Sequence, residues 1–139
     1  GQSVVAVMEV PGEHVDRYGI IHGEKWADRL YRVRQLVEKP PRDAAPSNLA
    51  VIGRYVLPPV IFDYLAEVEQ DATGEVQLTD ALARLAREKA LIGYEFDGER
   101  HDTGDRLGFI TANIAYALRR PELKDKLWEY IRSLEQPDT

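Results

Sequence analysis

The chain has 139 residues, a formal net charge of −6 and no cysteine. Its length fits one domain with a core of its own, and its hydrophobic and charged fractions are those of a globular protein. The acidic balance argues against nucleic acid as a partner, because a phosphate backbone favours clustered Lys and Arg. The absence of cysteine excludes disulfides and thiolate metal sites, and the three histidines show no ligand spacing.

The start of the chain bears on where it works. No apolar run approaches the roughly 18 residues that cross a bilayer, and no signal peptide precedes the strand-like run at residues 4–10. We therefore expect a soluble cytoplasmic protein without a membrane partner. The chain lacks an initial methionine and enters a predicted strand almost at once, whereas natural domains more often begin with a few poorly ordered residues. This predicts a piece of a longer protein.

Hydrophobic periodicity predicts a mixture of strands and helices along the chain. Strands are predicted at residues 4–10, 18–21, 30–38, 49–57 and 91–96, with a helical turn at 13–17 and a reversal at 22–24. Helices are predicted from Pro58-Pro59, from about Leu78, and as a consecutive pair over 105–134 that restarts at Pro121. Several strands precede the first long helix, and short connections cannot make parallel crossovers, so some pairs are antiparallel. The expected fold class is α/β, a mixed sheet flanked by helices, in a single domain over 1–139.

The run Val37-Glu38-Lys39-Pro40 carries a carboxylate and an ammonium where a predicted strand ends. A carboxylate accepts hydrogen bonds from several sugar hydroxyls, and a lysine offsets the charge of a phosphate as a compact cation. The pair therefore suits a sugar phosphate. The alternative is a surface ion pair in a turn closed by Pro40 and Pro41, because strand ends commonly carry charge and proline.

A second candidate site lies in Arg100-His101-Asp102-Thr103-Gly104-Asp105, between the last strand and the final helices. The free amides of a helix N-terminus favour an anion there. Asp102 is a hard oxygen ligand of the kind that Mg²⁺ takes, together with phosphate and water. The alternative is that Thr103 and Asp105 only cap the following helix.

Two further segments are weaker candidates. Gly74-Glu75-Val76-Gln77-Leu78-Thr79-Asp80 leads from a glycine turn into a helix, and its simpler interpretation is helix capping. Tyr18-Gly19 begins a strand, where a glycine lets the backbone approach a ligand closely. A plain bulge is the simpler interpretation of that glycine.

Taken in order, these segments resemble the C-terminal half of the bacterial UTP–glucose-1-phosphate uridylyltransferase family. The similarity extends through nearly the whole chain, and it also includes the run from Ser47 to Tyr55 and the ending Ala112-Asn113-Ile114-Ala115-Tyr116-Ala117-Leu118. Single motifs of this kind are weak signals, whereas five such motifs and the ending, all in the right order and spacing, are specific. The resemblance implies a nucleotide-diphospho-sugar transferase fold.

The resemblance also implies roles for individual residues. Glu38 would accept hydrogen bonds from glucose hydroxyls, and Lys39 would hold the phosphate of glucose 1-phosphate. The backbones of Gly19 and Val51 would face the sugar. Asp102 would be one of two aspartates on a catalytic Mg²⁺.

The same resemblance implies a reaction and partners. Glu75 belongs to a recurrent segment near the sugar, so it is carried as a substrate-binding candidate. The activity implied is the synthesis of UDP-glucose and pyrophosphate from UTP and glucose 1-phosphate, in a homo-oligomer. The family's glycine-rich loop, Gly-x-Gly-Thr-Arg, is absent from this sequence, so we expect the chain to be inactive alone. The alternatives are a non-catalytic sugar-phosphate-binding module, an oligomerisation module, or a related sugar-1-phosphate thymidylyltransferase.

Overall fold

The computed structural model describes residues 2–71 and 74–134. Two compact units divide the chain, Gly1–Asp97 and Gly98–Thr139. The boundary falls just before the segment that carries Asp102. The single domain expected over residues 1–139 stays a prediction, and its two ends lie outside the described residues.

The described residues of the first unit form five strands and two α-helices. The strands are β1 (Ser3–Glu9), β2 (Gly19–Ala27), β3 (Leu30–Glu38), β4 (Leu49–Val56) and β5 (Leu91–Glu95). The helices are α1 (Ile61–Glu67) and α2 (Leu78–Glu88), and short 3₁₀ helices span Gly12–Arg17 and Arg42–Ala44. The predicted strands and helices all occur, with boundaries shifted by a few residues.

The strands form a mixed sheet that closes into a barrel in the order β1-β4-β2-β3-β5. Strand β1 is antiparallel to β4 and parallel to β5. Strand β3 is antiparallel to both β2 and β5, and β2 pairs with β4. Helices α1 and α2 lie in the connection between β4 and β5, which are the two neighbours of β1 in the barrel. The α/β class with a mixed sheet is confirmed.

The reversal predicted at residues 22–24 is wrong. Strand β2 continues through these residues with an irregular register between His22 and Gly23, and the chain reverses after Ala27. A Cβ on Gly23 would stand 3.0 Å from the Cβ of Tyr31 on the neighbouring strand. Gly23 therefore allows the two strands to approach closely. In the turn that follows β2, Arg29 has a positive φ of 56°.

Two hydrophobic clusters fix the first unit. The larger cluster lies between the barrel and helix α2, which buries the predicted stripe Ala81, Leu82 and Leu85 completely or almost so. The smaller cluster joins Val10, Val15, Ile20 and Ala50. It lies under the first residues of β2 and β4, so the end of the sheet that carries Gly19 has a packed base. Removal of such side chains from water is the main favourable contribution to folding.

The second unit is a helix pair preceded by an extended segment. Helices α3 (Arg106–Leu118) and α4 (Pro121–Ser133) pack on each other. Pro121 occupies the first turn of α4, where its missing N–H costs no hydrogen bond. The predicted helix pair over 105–134 is confirmed. No helix within the described parts of the chain is long and apolar enough to cross a membrane.

Candidate functional site

Glu38 and Lys39 lie where the sequence predicts them, at the end of β3. Glu38 is the last residue of that strand and pairs with Gly19, the first residue of β2. The N–H of Lys39 donates to the carbonyl of Tyr18 at 2.9 Å, and Pro40 behind it is fully buried. The two strand ends therefore hold a carboxylate and an ammonium at one edge of the sheet.

The carboxylate of Glu38 is held by two neighbours. The Thr79 hydroxyl donates to Oε2 at 2.5 Å, and Nζ of Lys39 lies 3.8 Å from Oε1. The Glu38 side chain is 27% exposed and that of Lys39 is 60% exposed. A carboxylate accepts about four hydrogen bonds, so Glu38 keeps acceptor capacity for other hydroxyls, while the ammonium of Lys39 stays in solvent.

Thr79 is a site residue that sequence reasoning missed. Its segment predicts a helix cap, but the N-cap residue of α2 is Gln77 and no side chain caps that end. The hydroxyl of Thr79 instead crosses to β3, 41 residues earlier in the chain. Only the tertiary fold shows this contact, because the sequence pattern at a helix start is the same for both uses.

Thr79→Val keeps the shape of the side chain and removes its hydroxyl. We expect the free energy of unfolding to fall by about 1 kcal/mol, the usual net contribution of one hydrogen bond. Chemical denaturation of the single variants Thr79→Val and Glu38→Gln, and of the double variant, measures the coupling between the two side chains. Strictly additive losses would show that the hydroxyl does not support Glu38.

Lys39 adopts a backbone conformation that is unusual for its residue type. Its φ is +41°, in the left-handed region that only glycine enters without strain. Among the described residues Arg29 is the other non-glycine residue with positive φ, and it lies in a hairpin turn. Strain of this kind collects at functional sites, where it aims a side chain that the site requires.

Lys39→Gly relieves this strain and therefore separates stability from binding. We expect Lys39→Gly to be more stable than Lys39→Ala by about 1 kcal/mol, because glycine populates positive φ freely. Lys89, an exposed residue after α2 with φ of −136°, provides the control. Its Gly and Ala variants should show the opposite order in thermal unfolding. The same order at both positions would mean that Lys39 is not strained.

Gly19 lies on β2, beside the strand that ends at Glu38, and Val51 lies on β4, on the other side of β2. A Cβ on Gly19 would stand 3.1 Å from Oε2 of Glu38 and 3.4 Å from Oγ1 of Thr79. The absence of a side chain at Gly19 thus leaves room for the carboxylate. Val51 follows Ala50, the residue of β4 that pairs with Ile20. The structure therefore places Gly19, Glu38 and Val51 on three adjacent strands.

The charge of Glu38 also affects the pKa of Tyr55, which lies on the same strand as Val51. Partial burial, and after it the carboxylate of Glu38, raise the pKa of Tyr55 above its ordinary value. Glu75 lies further away along the chain, exposed in the loop before α2. Its N–H donates to Oδ1 of Asp71 at 3.0 Å. Its role as a substrate-binding residue stays a prediction.

Asp102 belongs to the second unit. Its Oδ1 accepts the N–H of Gly104 at 3.0 Å, and its Oδ2 lies 3.3 Å from Nη2 of Arg100. The side chain is 55% exposed. Asp105 caps α3, since its Oδ2 accepts the N–H of Gly108 at 2.7 Å. The capping alternative is therefore correct for Asp105, and it leaves the carboxylate of Asp102 facing solvent.

The residues around Asp102 could provide one protein ligand of a magnesium site. Across residues 2–71 and 74–134, no group of three or more His, Asp and Glu side chains could hold a metal ion. Mg²⁺ typically takes only one or two protein carboxylates and completes its shell with water and substrate phosphates. One exposed carboxylate such as Asp102 fits that pattern as a single ligand.

The chain belongs to the nucleotidyl transferase family, whose sequence profile matches residues 1–118. Within that family, it is 48% identical over 134 residues to a UTP–glucose-1-phosphate uridylyltransferase of Staphylococcus haemolyticus. It is also 48% identical over 135 residues to a second such protein, from Staphylococcus saprophyticus. The resemblance inferred from the motifs is confirmed.

Solved structures agree with these relatives. The chain is similar to an apo UDP-glucose pyrophosphorylase with a TM-score of 0.82 and 46% identity, a match that covers 86% of this chain and 44% of that one. A UTP-bound enzyme of the same kind from Acinetobacter baumannii gives a TM-score of 0.82 at 37% identity, covering 96% of this chain and 46% of that one. The expected nucleotide-diphospho-sugar transferase fold is thereby confirmed.

The alignments cover nearly all of this chain but only part of each relative. The two staphylococcal alignments cover 96% and 97% of this chain but 46% and 47% of the relatives. The chain thus spans about half the length of the curated relatives it matches.

Proposed function

We propose that this chain forms the sugar-phosphate side of an enzyme that makes UDP-glucose and pyrophosphate from UTP and glucose 1-phosphate. The observation that carries the proposal is the pair Glu38 and Lys39 at one strand end, with the backbone of Lys39 in a strained conformation and Glu38 held by Thr79. The names of the relatives support it. One carboxylate and one cation at 3.8 Å match a ligand with hydroxyls at one end and a phosphate at the other.

The side chains would divide the recognition of this ligand between them. The free lone pairs of Glu38 accept hydrogen bonds from sugar hydroxyls, and a site that reads hydroxyls rejects analogues that lack them. Lys39 offsets the charge of the sugar phosphate with its exposed ammonium. The bare backbone of Gly19 lets the sugar approach the sheet, and the backbone of Val51 lines the neighbouring strand.

The reaction requires little proton chemistry from these residues. A phosphate oxygen of glucose 1-phosphate attacks the α-phosphorus of UTP in line, a new P–O bond forms, and the bond to pyrophosphate breaks. A phosphate monoester has a second pKa of about 6 and is largely ionised at neutral pH, so no general base is needed. The remaining task is to bring two polyanions together and to stabilise spread negative charge. Lys39 contributes to both.

We further propose that Asp102 is one ligand of a catalytic Mg²⁺. Asp102 would hold the ion, which would supply charge neutralisation for the transfer. The structure supports this role through an exposed carboxylate with one oxygen fixed by the amide of Gly104. We propose as well that this chain is inactive alone, because it lacks the glycine-rich triphosphate loop that the resemblance requires.

Calorimetry on this chain tests the sugar-phosphate site. We expect glucose 1-phosphate to bind more tightly than glucose or inorganic phosphate, since each of these engages only one of Glu38 and Lys39. Glu38→Gln should weaken glucose 1-phosphate binding, whereas the exposed control Glu129→Gln on α4 should not. Equal affinity for all three ligands, or no binding by the folded chain, would contradict the proposal.

The same titration distinguishes an enzyme from a non-catalytic binding module. An enzyme part that uses Mg²⁺ should bind glucose 1-phosphate more tightly in its presence. A module that works by association alone needs no metal. We also propose a cytoplasmic homo-oligomer, in which exposed apolar residues of α3 such as Leu107 and Phe109 are covered. A monodisperse monomer in light scattering would contradict the oligomer.

A further inference from the structure

Gly108 occupies an unfavourable position for a glycine. It lies in the first turn of α3, two residues after Arg106. Inside a helix, glycine is less favourable than alanine, and Gly108 is not among the glycines with positive φ. Backbone conformation therefore does not explain why this residue lacks a side chain.

A close backbone approach explains it. A Cβ built on Gly108 would collide with the carbonyl oxygen of Asp102, and it would lie 3.0 Å from the carbonyl carbon of Asp102 and 3.2 Å from Oδ2 of Asp105. The colliding atom belongs to the backbone, so it cannot rotate away as a side chain could. A residue with a Cβ at this position must move either the Asp102 peptide or the start of α3.

The contact matters because the side chain of Asp102 has few other restraints. It is 55% exposed, its distance to Nη2 of Arg100 is long at 3.3 Å, and its firm hydrogen bond is with the amide of Gly104 at 3.0 Å. The peptide of Asp102 rests on the first turn of α3, which Asp105 caps through the N–H of Gly108. The place of the carboxylate thus depends on how closely that peptide packs on the helix.

We propose that Gly108 is a positioning residue for Asp102. Its missing side chain lets the Asp102 peptide lie directly on α3, and this contact fixes the carboxylate relative to the start of the helix. The inference rests on the proposed function, in which Asp102 is a ligand of Mg²⁺. Gly108 itself contacts neither metal nor substrate in this account.

The first test is structural and uses this chain. In Gly108→Ala we expect a shifted amide NMR resonance for Gly104 and faster hydrogen exchange at that amide, with the helix content by circular dichroism retained because alanine favours helix. Gly12→Ala is the matched control, since nothing lies within 4 Å of a Cβ at Gly12. An unchanged Gly104 amide in Gly108→Ala would overturn the inference.

The second test is functional and uses the full-length enzyme. Removal of supporting groups around a metal ligand typically costs about 10- to 100-fold in metal affinity. We expect Gly108→Ala to raise the Mg²⁺ concentration for half-maximal activity by about tenfold. At saturating Mg²⁺ the KM for glucose 1-phosphate should stay within about twofold of its original value, because Glu38 and Lys39 are untouched. An unchanged Mg²⁺ dependence would also overturn the inference.

A second variant keeps the inference testable if Gly108→Ala does not fold. Asp105→Ala removes the cap of α3 and adds no atom, so it should speed exchange at the Gly104 amide by a smaller factor. No change there would show that the start of α3 does not position Asp102. Failure of the proposed function is distinguishable, because full activity in Asp102→Asn would refute the metal role and leave these amide measurements unaffected.

Discussion

Lys39→Ala weakens the binding of glucose 1-phosphate by about 10- to 100-fold in the full-length enzyme, and it leaves the binding of UTP within about twofold. Hydrogen bonds to charged groups contribute about 1.5–3 kcal/mol each, and every 1.4 kcal/mol is tenfold in affinity. The Lys39 side chain is 60% exposed and lies 3.8 Å from Glu38, so its loss removes a cation at the phosphate without opening a cavity. Equilibrium binding with each ligand separately measures both effects.

Lys89→Ala is the control for this prediction. Lys89 carries the same charge and is exposed after α2, so its removal changes the net charge equally and should not affect either ligand. Lys39→Gly adds a second control, because it removes the ammonium without the strain that alanine keeps. Equal losses of glucose 1-phosphate and UTP binding in Lys39→Ala would contradict the assignment of this lysine to the sugar phosphate.

Asp102→Asn lowers turnover by at least about 100-fold, the effect of a few kcal/mol of lost charge stabilisation. The amide retains an oxygen that can accept the N–H of Gly104, so the local structure should survive while the metal loses a charged ligand. Steady-state kinetics at several Mg²⁺ concentrations measure this effect. Calorimetry without metal should show little change in glucose 1-phosphate binding to the chain.

Asp125→Asn on α4 is the matched control, since Asp125 is an exposed carboxylate of the same unit. Its turnover should equal that of the unaltered enzyme. Near-normal turnover in Asp102→Asn would refute the metal role. Such a result would leave the proposal for Glu38 and Lys39 intact, because those two residues belong to the other unit.

The end of β3 shows how much of the site the sequence predicts. Alternating side chains before Glu38 and the prolines after Lys39 indicate a strand that stops there, and the structure ends β3 at Glu38. The strained φ of Lys39 leaves no local trace, because lysine is not a residue type that signals positive φ. The alternating pattern therefore predicts the strand, whereas only the folded backbone shows the positive φ of Lys39.

Two contacts show why the rest could not be predicted. Thr79 reaches Glu38 from 41 residues away, and a helix-start threonine has the same local pattern whether it caps the helix or crosses to a strand. The apolar pattern of α3 predicts a helix but gives no reason for a glycine at position 108. The lack of a side chain there is explained only by the nearby carbonyl of Asp102. The reversal at residues 22–24 is mispredicted for the same reason, because Gly23 serves the approach of β3.

The account depends on a glucose 1-phosphate site at the end of β3. An NMR titration of this chain with glucose 1-phosphate tests it most directly. The account predicts amide shifts that are largest at Gly19, Glu38, Lys39 and Val51 and that require about 10- to 100-fold more ligand in Lys39→Ala. Shifts confined to other residues, or no shifts at saturating ligand, would contradict it.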